Sequence, residues 1–407
     1  MRILIVSQYF WPENFRITDL ATALSDKGHE VTVLTGMPNY PTGKLYEGYS
    51  WWKKRRESMR GISIVRVPLF VRRESRSWQL VLNYFSFVLS ACLFAPWLLR
   101  KKQFDVVFTY EPSPVTVAIP AIMMARLKKT PMFFWVQDLW PETLAATGAI
   151  KSPKILSMVG RMVKSIYQGC DFILVQSKSF IEPVIAVGAE IEKIKYFPNW
   201  AESLYQPIQL NSNASEREEV PKDGFVVMFA GNLGAAQSLD TIIIAAEKLK
   251  EENIHWLFLG DGRRRIWLQE VIAEKQLNKV HLLGSRPMDT MPAYFSLADV
   301  MLVTLKDDPV IATTIPGKMQ SYLACGKPII GALNGAGSEV INESGSGYSV
   351  ESGDVKGLSE VILSMSQLTD EERNEMGHAA RQYYEQNFDR EMLICQLEAW
   401  MEEAVRQ

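Results

Sequence analysis

An alternation of apolar runs and amphipathic stretches constrains the fold of this 407-residue chain more than any other feature. The alternation begins with the run RILIVSQYF at residues 2–10, the amphipathic stretch ITDLATALSDKG at 17–28 and the run HEVTVLTG at 29–36. Runs rich in β-branched residues indicate strands, and strand, helix and strand in succession are typical of a parallel βαβ unit. Because the same pattern recurs along the chain, the sequence predicts an α/β fold.

A polar segment divides this alternation into two series. Residues 209–222, QLNSNASEREEVPK, have no apolar periodicity and are typical of a linker or an exposed loop. We therefore predict two Rossmann-like domains, at 1–205 and 206–385, followed at 386–407 by a C-terminal helix that packs back on the N-terminal domain. Ligands of open α/β sheets bind at the carboxyl ends of the strands. We expect the two domains to face each other across a cleft that holds the site.

Composition and charge narrow the environment and the partners. The chain is 47% hydrophobic and 22% charged, and its four cysteines stand singly, which predicts a cytoplasmic protein without disulfides. Residues 1–205 hold 26 Lys and Arg against 16 Asp and Glu, whereas the remainder holds 18 against 30. A basic half predicts an anionic partner. We expect no nucleic acid partner, because no DNA-reading element is recognisable, and this leaves a membrane surface.

An apolar segment at residues 78–99, WQLVLNYFSFVLSACLFAPWLL, has three interpretations. It is long enough to span a bilayer, but a span would separate strands that must pair in the first sheet. It can instead lie in the membrane interface or cover the sheet as a buried helix. Basic residues near both ends favour the interface: Lys53, Lys54, Arg55, Arg56, Arg72, Arg73 and Lys101.

The segment TTIPGKMQSYLACGKPII at 313–330 predicts an anion site. Pro316 and Gly317 are typical of a helix start, and Lys318 follows them at the positive end of the helix. Backbone N–H groups and a lysine together favour a phosphate or another anion.

Four segments of the second half resemble glycosyltransferase family 4, a family of retaining enzymes with the GT-B fold. They are FAGNLGAAQSLD (229–240), LGDGRRR (259–265), LLGSRPMDTMPAYFSLADVMLV (282–303) and TIPGKMQSYLACGKPIIG (314–331). The resemblance covers nearly the whole chain. In the first half, residues 8–43 and 135–143 are similar to bacterial amino-sugar transferases of O-antigen and capsule synthesis.

This resemblance implies that the anion is the diphosphate of a nucleotide-sugar donor. Fixed dipoles and a cation at Lys318 would stabilise the charge that develops on the leaving diphosphate. The alternative for Lys318 is a surface lysine beside an ordinary helix start. The alternative for Arg286 and Glu339 is an ordinary surface charge. The implied donor site comprises Gly231, Asn232, Leu233, Gly234, Gln237, Asp261, Gly262, Arg263, Arg286, Lys306, Thr313, Thr314, Ile315, Pro316, Gly317, Lys318, Ser321 and Glu339.

The chain departs from the family pattern at two places. The usual Arg and Lys of the first glycine loop align with Asn232 and Gln237, so we expect the charge to come from Lys306, Lys318, Arg263 or Arg286. The usual pair of glutamates aligns with Thr313 and Ser321, whose neutral hydroxyls bind sugar hydroxyls less strongly than carboxylates do.

In the first domain the resemblance implies the catalytic and acceptor groups. Retaining enzymes of this type often place a histidine near the sugar, but His29, His255, His281 and His378 do not fit that place. Asp138, at the end of the run FFWVQD, is the predicted substitute, with a helix cap as its alternative role. The predicted catalytic residues are Asp138, Lys318 and Glu13, and the predicted acceptor-binding residues are Asn14, Arg16, Asn39, Tyr40 and Glu111. Asn14 has the alternative role of capping the first helix.

The implied activity is transfer of N-acetyl-L-fucosamine, or a related amino or deoxy sugar, to an acceptor on undecaprenyl diphosphate. We expect a UDP-sugar rather than a GDP-sugar, peripheral attachment to the inner face of the cytoplasmic membrane, and neither cofactor nor metal. A nucleotide-sugar 2-epimerase of the same fold is one alternative, and a catalytically silent scaffold of polysaccharide assembly is another. The lack of a histidine at a suitable position argues against the epimerase. The scaffold stays open because Thr313 and Ser321 replace the usual glutamates.

Overall fold

A computed structural model describes residues 1–51, 53–72 and 77–406 of the chain; Arg73 lies outside the described residues. The chain forms two compact units. The first comprises Met1–Pro198 and the C-terminal segment Glu391–Gln407, and the second comprises Asn199–Arg390. The polar segment at 209–222 lies inside the second unit and contains a short helix, Glu216–Glu219, so it does not link the two units. Most of its residues are exposed, which agrees with the alternative of an exposed loop.

The first unit is built on an eight-stranded sheet. Its strands are β1 Arg2–Val6, β2 Glu30–Gly36, β3 Arg56–Met59, β4 Ile62–Val67, β5 Val106–Glu111, β6 Met132–Val136, β7 Phe172–Val175 and β8 Ile194–Tyr196. The spatial order is β3-β4-β2-β1-β5-β6-β7-β8, and every neighbouring pair is parallel except β3 with β4. The carboxyl ends of these parallel strands therefore lie at one edge of the sheet.

Helices connect the strands of the first unit. They are α1 Arg16–Asp26, α2 Ser77–Leu98, α3 Ala118–Lys128, α4 Glu142–Ala146, α5 Pro153–Gln168 and α6 Ile181–Val187, with 3-10 turns at Val115–Val117, Lys178–Phe180 and Ile191–Lys193. The strands β1, β5 and β6 are buried along nearly their whole length, as expected of parallel strands whose two faces are both covered.

The second unit contains a six-stranded parallel sheet in the order β11-β10-β9-β12-β13-β14. The strands are β9 Phe225–Ala230, β10 Ile254–Leu259, β11 Val280–Gly284, β12 Val300–Thr304, β13 Ile329–Ala332 and β14 Gly347–Val350. The helices are α7 Glu216–Glu219, α8 Leu239–Lys248, α9 Arg265–Glu274, α10 Met291–Ser296, α11 Pro309–Ala312, α12 Gly317–Ala324, α13 Ala336–Ser344, α14 Val355–Ser366 and α15 Asp370–Asn387, with 3-10 turns at Ala235–Gln237 and Met288–Thr290. Strand order reverses direction beside β9, which is where such sheets bind ligands.

The last helix, α16 Arg390–Arg406, packs on the first unit. Glu398 accepts a hydrogen bond from His29 at 2.7 Å and lies 3.3 Å from Lys27 Nζ. Trp400 packs against Phe197, with ring centroids 6.1 Å apart. The chain thus returns to its first unit after completing the second.

The helix α2 is attached to the first unit along one face. Asn83, Phe87, Ala91 and Ala95 recur at every fourth position, which places them on one side of the helix, and all four are fully buried. It contains the one segment of the described chain, Trp78–Leu98, that is long and apolar enough to cross a membrane by length and composition, and 22% of that window is buried. The buried face makes α2 part of the domain core, so the spanning interpretation does not fit.

Candidate functional site

Two glycines bring the ends of neighbouring strands of the second sheet into close contact. Gly231 follows β9 and Gly260 follows β10, with φ of 139° and 138°. A Cβ atom at Gly260 would lie 1.9 Å from the carbonyl oxygen of Gly231, and one at Gly231 would lie 3.2 Å from Lys318 Nζ. Because glycine alone accepts both the dihedral angle and the contact, the end of β10 can approach Gly231, and Gly231 can approach Lys318.

The ammonium group of Lys318 is held by two neutral side chains. Its Nζ donates a hydrogen bond of 2.7 Å to Gln237 Oε1 and lies 3.6 Å from the centroid of the Phe229 ring. Burial lowers the pKa of Lys318 to about 7. The residue as a whole is half-buried. A desolvated cation with neutral partners is poised to gain from an incoming anion.

The helix α12, which carries Lys318, is oriented by a buried tyrosine. Tyr322 lies one turn beyond Lys318; its hydroxyl donates to Ala230 O at 3.0 Å and accepts from Ala230 N at 2.9 Å. The N-cap of the helix is Pro316, which has no side-chain cap. The start of α12 is therefore aimed at the end of β9, and its first backbone N–H groups lack a capping side chain.

The glycine loop after β9 is bonded to the loop after β10. Leu233 N donates to Asp261 O at 2.9 Å, and Leu233 O accepts from Arg264 N at 3.0 Å. A Cβ atom at Gly262 would lie 2.5 Å from Leu233 O, and one at Gly234 would lie 2.7 Å from the Asn232 amide nitrogen. These contacts bring together the predicted residues Gly231, Asn232, Leu233, Gly234, Asp261 and Gly262 as one loop pair.

Two of the hydroxyls near α12 are presented as acceptors. Thr313 Oγ1 donates to Val310 O at 2.7 Å, and Thr314 Oγ1 donates to Ile311 O at 2.8 Å. A hydroxyl has one proton to donate, so each threonine retains only its accepting lone pairs for a ligand. A glutamate at either position would also supply an acceptor, and it would add a negative charge that threonine lacks. Ser321 is buried within α12, and Ile315 is buried just before it.

The other predicted cations are placed differently from Lys318. Arg286 forms an ion pair with Glu219 and donates to Tyr294 Oη at 3.0 Å, so its charge is compensated within the protein. Arg263 and Lys306 are exposed, although Lys306 N donates to Ala236 O at 2.9 Å beside the turn that carries Gln237. Lys318 is therefore the predicted cation whose side-chain nitrogen the structure places against Gly231 and Gln237.

Glu339 is exposed in the first turn of α13, whose first two residues, Ala336 and Gly337, are buried. A Cβ atom at Gly337 in the same turn would lie 3.3 Å from Pro316 Cδ. The first turn of α13, which carries Glu339, is thus in contact with the start of α12.

In the first unit, Glu13 ties two loops together. Its Oε1 accepts from Asn39 N at 2.8 Å and Tyr40 N at 2.7 Å, and its Oε2 accepts from Phe10 N at 3.2 Å. Burial raises the pKa of Glu13 to about 7, although these three hydrogen bonds oppose the rise. Glu13 therefore positions the loop that carries Asn39 and Tyr40.

A pair of carboxyl groups lies at the carboxyl ends of β5 and β6. Glu111 is fully buried, and its Oε2 accepts from Gln137 N at 3.3 Å and Asp138 N at 3.2 Å. Burial, and then the neighbouring Asp138, raise the pKa of Glu111 well above its usual range. Asp138 accepts from Thr143 Oγ1 at 2.6 Å and from Trp140 Nε1 at 3.2 Å. Because Asp138 accepts these side-chain bonds and the N-cap of α4 is Pro141, Asp138 is not a helix cap.

Asn14 and Arg16 lie at the start of α1. The helix begins at Arg16 with Phe15 as its N-cap and no side-chain cap, so Asn14 does not cap it, and Asn14 is exposed. Tyr40 packs in an aromatic cluster with Tyr9 and Phe15, at centroid distances of 5.6 Å and 5.2 Å.

Two residues of the second unit were missed by sequence reasoning: Phe229 and Tyr322. The spacing of Tyr322 four residues after Lys318 was the available signal, since i and i+4 share a helix face.

Comparison with known proteins assigns both parts of the chain. Residues 14–200 match the family model described as a glycosyl transferase 4-like domain, and residues 211–383 match the model described as glycosyl transferases group 1. The WcaI glycosyl transferase assigned to colanic acid biosynthesis in Escherichia coli (strain K12) is 24% identical over 343 residues, which is 80% of this chain and 82% of WcaI.

Solved structures support the same assignment at the level of the fold. HepE of Anabaena, crystallised with UDP and glucose, is 16% identical with a TM-score of 0.68 over 99% of both chains. WaaG, a glycosyltransferase involved in lipopolysaccharide biosynthesis, is 13% identical with a TM-score of 0.66 over 98% of both chains. The predicted GT-B fold with two Rossmann-like domains is confirmed. The chain is therefore a glycosyltransferase, made of a glycosyl transferase 4-like domain followed by a glycosyl transferases group 1 domain and related to enzymes of bacterial polysaccharide biosynthesis.

Proposed function

We propose that the protein is a retaining glycosyltransferase that moves a sugar from a UDP-sugar to an acceptor on undecaprenyl diphosphate, in O-antigen or capsule biosynthesis. The proposed sugar is N-acetyl-L-fucosamine or a related amino or deoxy sugar, because the first half of the chain resembles the L-fucosamine transferase WbuB. The reaction would take place at the inner face of the cytoplasmic membrane, where the protein would be peripherally attached.

The observation that carries the proposal is the surroundings of Lys318. Its ammonium group has a lowered pKa, neutral partners in Gln237 and Phe229, and a place at the start of an uncapped helix beside glycine turns. A diphosphate supplies the negative charge that this arrangement lacks. HepE binds UDP with the same fold, which supports a uridine nucleotide here.

Retention of configuration follows from a front-face reaction. The acceptor hydroxyl oxygen attacks the anomeric carbon on the face from which the diphosphate leaves, and a diphosphate oxygen takes the hydroxyl proton. Lys318 and the start of α12 stabilise the charge on the leaving group. This route needs neither a general base nor a metal, so we expect full activity in the presence of a chelator.

The carboxyl groups of the first unit suit the acceptor. Asp138 is half-buried at the end of β6, where it can orient an acceptor hydroxyl or stabilise positive charge at the anomeric carbon. Glu111 holds the backbone at Asp138, and Glu13 holds the loop of Asn39 and Tyr40. Asp138 is therefore the proposed catalytic residue of this unit. Glu13 was also predicted to be catalytic, but both of its carboxylate oxygens accept from backbone N–H groups, so we propose that Glu13, like Glu111, positions the acceptor site.

The test is a transfer assay with purified protein and undecaprenyl-diphosphate-GlcNAc. UDP-N-acetyl-L-fucosamine, UDP-GlcNAc and GDP-fucose are offered as donors, and the anomeric configuration of the product is read by NMR. We expect transfer from a UDP-sugar with retention, and a loss of about a hundredfold or more in Lys318→Ala.

Lys327→Ala is the matched control, because Lys327 follows the other end of α12 and burial also lowers its pKa. Equal losses in both variants would contradict a specific role for Lys318. Inverted product would overturn the front-face mechanism. Epimerisation of the free UDP-sugar without transfer would support the 2-epimerase instead. If the folded protein binds no nucleotide, the result would support the catalytically silent scaffold.

A further inference from the structure

The outward face of α2 is a continuous apolar surface. Opposite the buried face, the helix exposes large side chains along its length: Trp78, Val81, Leu82, Phe85, Leu89, Leu93, Phe94 and Trp97. Leu89, Leu93 and Trp97 are each more than 60% exposed. From Trp78 to Trp97 this stripe is about 28 Å long at 1.5 Å per residue. Exposed apolar patches of this size mark interaction sites.

Basic side chains surround the C-terminal end of this stripe. Arg55 lies 5.8 Å from the centroid of the Phe94 ring, and Arg100 lies 4.6 Å from that of Trp97. Arg56 donates to Leu98 O at 3.2 Å, and Lys101 is exposed after the helix. In the part of the chain that the structure describes, none of these four cations is paired with a carboxylate. We call this stripe together with Arg55, Arg56, Arg100 and Lys101 the α2 face.

The charge and shape of the α2 face select its partner. A second copy of the chain would bring two sets of unpaired cations together, which is unfavourable. A membrane cannot receive α2 as a spanning helix, because Asn83, Phe87, Ala91 and Ala95 are already buried in the first unit. A helix that lies in the plane of the interface meets both constraints, with its apolar side among acyl chains and its cations at anionic headgroups.

We infer that the α2 face binds flat to the surface of an anionic bilayer, with Trp78, Leu89 and Trp97 at the boundary of headgroups and acyl chains and Arg55, Arg56, Arg100 and Lys101 on lipid phosphates. The inference rests on the proposed function, since a lipid-linked acceptor must be reached at that surface. To the proposed function it adds which surface of the protein binds the membrane and that the lipid headgroups must be anionic.

The test is sedimentation of the full-length protein with vesicles of phosphatidylglycerol or of phosphatidylcholine. We expect partitioning into the anionic vesicles to be about tenfold or more stronger and to weaken with salt. The double variant Leu89→Glu/Leu93→Glu should lose about tenfold or more of that partitioning. Arg100→Glu/Lys101→Glu should lose the preference for phosphatidylglycerol while it leaves the apolar stripe unchanged. Met158→Glu is the matched control, because Met158 is 62% exposed on α5 of the same unit, as Leu89 is on α2.

Binding of UDP-GlcNAc, measured by calorimetry on the same preparations, separates this inference from the proposed function. A wild-type protein that binds the nucleotide sugar but not phosphatidylglycerol vesicles overturns the inference alone, and the reverse result supports it while the proposed donor site fails. Equal vesicle binding by Leu89→Glu/Leu93→Glu and Met158→Glu would overturn it. A wild-type dimer that Leu89→Glu/Leu93→Glu dissociates would show that a second copy occupies the face, and would overturn it too.

Discussion

The chemistry open to Lys318 depends on the two neutral groups that hold its ammonium end. Gln237 accepts one hydrogen bond and the Phe229 ring offers a weakly negative face, and neither compensates a full charge. Burial lowers the pKa of Lys318 to about 7 before any ligand binds. A diphosphate beside it would favour the protonated form and raise that pKa again.

Binding of a nucleotide sugar is therefore expected to take up a proton. Above about pH 7, Lys318 is neutral in the free protein and protonated in the complex, so affinity should fall as pH rises, by up to about tenfold per pH unit. Below about pH 7 both states are protonated and Lys318 contributes no pH dependence. Calorimetry with UDP-GlcNAc in buffers of different ionisation enthalpy measures the uptake.

Lys318→Met is the comparison for this prediction. The variant should bind UDP-GlcNAc more weakly and without the proton uptake between about pH 7 and pH 8.5. An unchanged uptake in Lys318→Met would assign the proton to another group.

At the scale of elements, the close contact between the loops that follow β9 and β10 depends on Gly260. Its φ of 138° and the contact of 1.9 Å that a Cβ atom would make with Gly231 O come from two strands that end side by side. The backbone there cannot move without displacing Gly231, which lies against Lys318.

Gly260→Ala is expected to destabilise the protein by about 2 kcal/mol or more and to weaken UDP-GlcNAc binding. The matched control is Gly353→Ala, because Gly353 also has a positive φ, of 80°, but a Cβ atom there would meet no atom within 4 Å. The control should cost about 1 kcal/mol and leave nucleotide binding unchanged. Urea unfolding and calorimetry measure the two effects, and equal losses would refute the role of the strand-end contact.

At the scale of the whole molecule, the chain returns to its first unit through α16. Glu398 is the electrostatic centre of this attachment, because its carboxylate contacts both Lys27 and His29 across more than 300 residues of sequence. Lys27 is exposed, but His29 and Glu398 are mostly buried, so their hydrogen bond is better shielded from solvent than a surface contact is.

Glu398→Ala is expected to lower the stability of the first unit by about 1 kcal/mol, through the lost hydrogen bond from His29, and to increase hydrogen exchange in α16. Glu402→Ala on the same helix is the control, because among the described residues Glu402 pairs with Arg406 of α16, and that pair is exposed. Thermal unfolding followed by calorimetry checks the difference. Equal destabilisation by the two substitutions would mean that apolar packing alone attaches α16.

The sequence by itself determined the alternation of strands and helices, the glycine turns at the strand ends and the start of α12 at Gly317, because local periodicity and backbone preference are properties of short segments. Only the tertiary structure decided which charges are available. It placed Gln237 on Lys318, 81 positions along the chain, and Glu219 on Arg286, 67 positions away. It also decided which face of α2 is buried, since that helix carries no charged residue from Trp78 to Leu98 that would mark one face as exposed. Burial and pairing depend on contacts between distant segments, and local patterns do not contain them.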